Sequence, residues 1–109
     1  MRFSRYDVHW VNLDPVRGSE LRKTRPGVIV SLDVLNRALS TVVICPLTTQ
    51  VHPEWRARLG VKLAGKSAEI AADQIRAVSK SRIGRKLGKL SPPDAASLRR
   101  LLTDMYGTG

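Results

Sequence analysis

Apolar positions in this chain fall in short alternating or β-branched runs, and only the last stretch repeats at helical spacing. In DVHWVNL (7–13), Val8 and Trp10 set one phase while Val11 and Leu13 set the other, which predicts a strand buried on much of both faces. VIVSL (28–32) and TVVICPL (41–47) are β-branched runs and predict two more strands. Between them, DVLNRALS fits one or two helical turns with Asp33 as N-cap. WRARLGVKL (55–63) places Trp55, Ala57, Leu59, Val61 and Leu63 on one face and Arg56, Arg58 and Lys62 on the other. That is the pattern of a half-buried strand with a cationic outer face. After a turn at AGKS (64–67), AEIAADQIRAVSK (68–80) reads as two short strands bent near Asp73. DPVRGSELRKTRPG (14–27), with two prolines and two glycines, reads as a long loop, and VHPE (51–54) as a shorter one.

The C-terminal segment differs in kind. Ser91, followed by Pro92 and by Asp94, forms a capping-box-like helix start, with proline at the first helical position. Ala95, Leu98, Leu101, Leu102 and Met105 then recur on one face, Arg99, Arg100 and Asp104 face away, and Gly107 provides the stop. The stripe is assigned to core packing. The expected fold is therefore mainly β (α+β), a barrel of five to seven short strands closed by a C-terminal helix.

Composition adds a partner class to this fold. With 109 residues the chain is read as one domain, residues 1–109, with one modest core. A net charge of +10 points to an anionic partner. From Arg76 to Arg100 there are eight Lys or Arg and one acid, Asp94, which marks either a phosphate-tracking surface or a solvated face. No apolar run approaches the ~20 residues of a membrane span and the start lacks a signal-peptide core, so a cytoplasmic location is expected. Cys45 is the only cysteine; set in an apolar run, it is read as a small buried hydrophobe. His9 and His52 have no ligand-like spacing around them, and no metal or other cofactor is expected. Aromatics are few, Trp10 and Trp55 are assigned to the core, and base stacking on an exposed aromatic sheet is not expected.

One stretch resists a purely structural reading. In RGSELRKTRPG, Glu20 lies among Arg17, Arg22, Lys23 and Arg25, more charge than a turn needs. Together with the strand before it, with PLTTQ (46–50) and with AADQIRAV (71–78), this stretch resembles the MazF/PemK family of toxin endoribonucleases from bacterial toxin–antitoxin pairs. The resemblance covers nearly the whole chain, and its three motifs stand in the family's order. It implies an SH3-like barrel of the CcdB/PemK type with a C-terminal helix. It also implies a sequence-specific endoribonuclease that cuts single-stranded RNA and acts as a homodimer neutralised by an acidic, MazE-like antitoxin. The site residues it implies are Arg25, Glu20 and Thr48 as catalytic. Ser19, Arg17, Lys23, Thr49, Gln50, His52, Arg56, Arg58, Asp73, Gln74 and Arg76 are the candidates for RNA contact. One branch of the family assigns the aspartate matching Asp73 to catalysis, with an arginine where this chain has Ala71 and a histidine where it has Ser19; this chain aligns with the Gly-Ser-Glu branch instead.

The chemistry suits these residue types. RNA carries its own nucleophile, the 2′-OH, so cleavage needs a base, positive charge for the crowded phosphoryl centre and a proton for the leaving 5′-oxygen, but no metal. A guanidinium binds two phosphoryl oxygens at once, which makes Arg25 the stabiliser and a candidate donor. Glu20 could accept the 2′-OH proton, though ionised among cations it is a weak base, and Thr48 could orient the phosphate. The division of base and acid stays open. Two other classes compete: a non-catalytic CcdB-like toxin acting on DNA gyrase, and an SH3-like nucleic-acid-binding module without chemistry.

Overall fold

In a computed structural model of the protein, the described residues are 2–13, 24–52 and 54–107. Along the chain follow β1 (Asp7–Asn12), β2 (Thr24–Ile29), α1 (Asp33–Ala38), β3 (Thr41–Thr48), β4 (Arg58–Leu63), β5 (Lys66–Ala71), β6 (Arg76–Ser79), β7 (Ile83–Lys89) and α2 (Pro92–Leu102). The strands pair antiparallel in the order β4-β5-β3-β2-β1-β7, with β6 also on β3. Strand β3 is shared: its first half pairs with β6 and its last two residues, Leu47 and Thr48, with Ile70 and Glu69 of β5. Its other edge carries β2 through Gly27↔Pro46, Val28↔Cys45 and Ile29↔Ile44. The sheet curls around this strand into a half-barrel, and its strand number falls within the expected range.

Alternation along the central strands explains why their sequences are apolar throughout. Val28, Val30, Cys45 and Leu47 enter one core cluster, whereas Ile29, Val42 and Ile44 enter a second on the opposite side of the sheet. Helix α2 seals the first cluster with Ala95 and Leu98, and its start is capped as expected, the Ser91 hydroxyl accepting the Asp94 N–H at 3.3 Å. Leu101, Leu102 and Met105 are only half-buried, and of these Leu102 still packs against the first cluster. Gly27 has a steric reason: a Cβ there would sit 2.9 Å from Cγ2 of Val11 on the neighbouring strand.

Several boundaries differ from the sequence expectation. Residues 24–27, read as loop, belong to β2, where residues 24–26 pair with β1 alone and a proline lacking its N–H is tolerated. Leu32 occupies the N-cap of α1; Asp33 instead accepts the backbone N–H of Arg5 at 2.7 Å. The strand expected from Trp55 starts at Arg58, and the hairpin after it turns on Ala64 and Gly65 alone. Both carry positive φ, +51° and +81°, the backbone of a type I′ turn. Strand β7 was not foreseen. Register irregularities against β1 break its period, and two glycines with three cations mask the rest.

Two measurements test this packing. Leu98 is fully buried, so Leu98→Ala is expected to cost about 2–5 kcal/mol in urea unfolding followed by circular dichroism; a change below ~1 kcal/mol would show that α2 does not seal the core. Burial first, then the charge of Asp73, pushes the Cys45 thiol up to about 12. The thiol is expected to resist a disulfide reagent at pH 8 in the folded protein and to react promptly in urea.

Candidate active site

The register of β2 against β3 sets the site. The β2–β3 ladder ends at Gly27↔Pro46, and Arg25 and Thr48 each lie two residues beyond that last pair. Thr48 faces Glu69 of β5 on its other edge. Arg25 and Thr48 together line two adjoining clefts, one of about 580 Å³ and one of about 340 Å³. Arg25 is exposed, and among the described residues it has no carboxylate partner. The Thr48 oxygen accepts the Gln50 N–H at 3.1 Å, which leaves its own O–H free to donate. A hydroxyl donor and an exposed guanidinium lining the same clefts can together bind a tetrahedral oxyanion.

The larger cleft also gathers Gln50, His52, Gln74 and Arg76, while Thr49 lines the smaller one. Arg56 is exposed and Asp73 bonds to Arg58; neither lines these clefts. Arg17, Ser19, Glu20 and Lys23 lie outside the described residues. Among the described residues no group of three or more His, Cys, Asp or Glu could hold a metal ion.

Arg58 and Trp55 need correction. Arg58 does not project from a cationic outer face; its side chain is 7% exposed, Nε donates to Asp73 at 2.9 Å, and Nη1 lies 3.8 Å from Glu69. Trp55 is not core but 45% exposed, stacked on His52 at 3.9 Å and lining the cleft. The sequence reading missed Glu69 altogether. It is buried, and its Oε2 accepts the His52 N–H at 2.8 Å. Arg58 is thus offset by Glu69 and Asp73, so the unbalanced positive charge at the larger cleft comes from Arg25 and Arg76.

Comparison with known proteins places this geometry. Residues 4–106 match the family model described as PemK-like, MazF-like toxin of type II toxin–antitoxin system. The chain belongs to that family. It is 31% identical over 108 residues to endoribonuclease MazF9 of Mycobacterium tuberculosis, covering 90% of this chain and 91% of that protein. Against endoribonuclease EndoA of Bacillus subtilis it is 30% identical over 95 residues, covering 83% and 82%. The fold is also that of MazF in a crystal structure of MazE–MazF from Deinococcus radiodurans, with a TM-score of 0.83, 22% identity and coverage of 97% and 96%. The expected fold and family are both borne out.

The buried ion cluster yields a prediction. Removing Arg58 strands Glu69 in the interior, so Arg58→Met is expected to lose about 3–5 kcal/mol in chemical unfolding. Glu69→Gln is expected to lose less, because the amide oxygen still accepts from His52 and Arg58 keeps Asp73. Equal losses would mean that the charge of Glu69 is not what Arg58 compensates.

Proposed function

We propose that this MazF-family toxin, an endoribonuclease like its relatives, cleaves single-stranded RNA by attack of a 2′-OH on the adjacent phosphorus. The 2′-O–P bond forms, the P–O5′ bond breaks, and the products are a 2′,3′-cyclic phosphate and a 5′-hydroxyl. The observation that carries the reading is that Arg25 and Thr48 both line each of the two adjoining clefts. The phosphate sits between the two side chains. Arg25 balances the charge that grows on the non-bridging oxygens, and Thr48 donates its O–H to one of them. The base proposed for the 2′-OH is Glu20, on sequence grounds. Arg76 and Gln74 hold flanking nucleotides along the larger cleft.

The RNA test is direct. A defined RNA should be cut by the purified protein in chelator, and a single 2′-deoxy substitution at the scissile nucleotide should abolish the cut. Arg25→Ala is expected to lose orders of magnitude in rate with the fold intact, and Thr48→Ala less. Cleavage of the deoxy-substituted RNA at an undiminished rate would contradict the mechanism. Complete inertness toward RNA would favour the gyrase-directed or purely binding alternatives.

Assembly and control complete the proposal. Leu32, Val34, Leu35, Leu39 and Tyr106 are exposed, and an apolar depression runs between α1 and the end of α2, lined by Leu32, Leu35, Leu102 and Tyr106. Apolar surface of this kind supports a two-fold dimer, which would also lengthen the RNA track. An acidic antitoxin segment that folds over the cleft would compete for Arg25 and Arg76. Light scattering should give twice the chain mass, and Leu35→Lys with Leu39→Lys should halve it. A wild-type monomer at micromolar concentration would remove the dimer.

A further inference from the structure

The turn after β3 holds two aromatic rings in a way that neither the family match nor the phosphate site explains. The Trp55 N–H donates to the His52 carbonyl at 2.9 Å, closing a turn. That turn brings the imidazole and indole together nearly parallel, with centroids 3.9 Å apart and planes inclined by 8°. The Arg58 guanidinium carbon lies 4.7 Å from the indole centroid. Three separate bonds tie the segment to the half-barrel: Glu69 to the His52 N–H, Arg58 to Asp73, and the Ala72 N–H to the Ala57 carbonyl at 3.0 Å.

The indole is 45% exposed on the wall of a cationic cleft. The imidazole is itself 37% exposed in its side chain, with one face on the indole. A flat, aromatic, pre-positioned surface in the cleft that also holds Arg25 and Thr48 fits a flat aromatic ligand carried on a phosphate chain.

We propose that the His52–Trp55 pair is a nucleobase-stacking platform, which takes one base of the substrate strand flanking the phosphate held by Arg25 and Thr48. Arg58 and Glu69 act as positioning residues for the pair: they fix the turn so that the stacking face is formed before RNA arrives. This inference rests on the RNA-cleaving reading for its ligand class. Stacking on aromatic side chains is sequence-tolerant and independent of cleavage, so the two can fail separately.

The test compares two uncleavable 12-mers of equal charge, 2′-O-methyl-oligouridine and an abasic 2′-O-methyl backbone, by fluorescence anisotropy. Wild type should bind the base-bearing strand more tightly. In the double variant His52→Ala, Trp55→Ala that gap should shrink by about 5- to 150-fold, the equivalent of the ~1–3 kcal/mol typical of one stacked base. Trp55→Phe should restore most of it. The slope of log affinity against log salt should be the same in all three, because the phosphate contacts are kept. Glu69→Ala should narrow the gap in the same direction, and Glu69→Gln should keep it. Equal wild-type affinities for the two strands, or a gap unchanged in the double variant, would overturn the platform. A protein that shows the gap yet cuts no RNA would keep the platform and remove the ribonuclease reading.

Discussion

Everything at the site depends on strand β3 being paired on both edges at a fixed register. Its residues divide strictly between two core clusters, Val42 and Ile44 to one side, Cys45 and Leu47 to the other. A slip of one residue against β2 would turn each of these to the wrong side and would shift Thr48 relative to Arg25. Hydrophobic burial therefore fixes the geometry of two polar side chains that contribute little to stability themselves. Gly27 belongs to the same constraint, because only a residue without Cβ lets β2 lie this close to Val11.

A second constraint is electrostatic. Arg58 and Glu69 are both nearly excluded from water, and an ion pair in that setting is better tolerated the more of its remaining valences are used. Asp73 takes the Arg58 Nε–H, and the His52 N–H goes to Glu69 Oε2. Glu69 Oε1 makes no hydrogen bond and is balanced only by the Arg58 charge 3.8 Å away. The cluster thereby connects three places: the β4–β5 hairpin, the short turn Ala72–Gln74 before β6, and the loop that follows β3. Apolar packing alone would leave that loop undetermined, since Val51 and Trp55 in it are exposed. Charge pairing orders the wall of the cleft, and the core orders its floor.

Much of the fold was legible because burial on both faces of a strand leaves a continuous β-branched run, as in VIV and TVVIC. The terminal helix was legible from Ser91 and the proline after it. Strand β7 was hidden because its irregular pairing removes the alternation that pattern reading needs. Arg58 and Glu69 were misread or missed for one reason: periodicity sorts residues by face but does not reveal a partner. Only the pairing Gly60↔Glu69 brings Arg58, two positions from Gly60, within reach of that carboxylate. Trp55 was assigned to the core because it falls in phase with Ala57, Leu59 and Val61, and a turn closed by a single hydrogen bond leaves no periodic trace. Arg25 and Thr48 stood out through motif resemblance; nothing in their local pattern separates a strand-end arginine or threonine from an ordinary one.

The central claim is that Arg25 and Thr48 act on one phosphoryl group, and a double-mutant cycle on kcat/KM tests it most directly. With Arg25→Ala, Thr48→Ala and the double variant assayed on the same RNA, the account predicts a coupling energy well above the ~0.5 kcal/mol typical of independent sites, with the double variant little worse than Arg25→Ala alone. Additive losses would contradict it, since they would mean that the two residues act on the reaction separately.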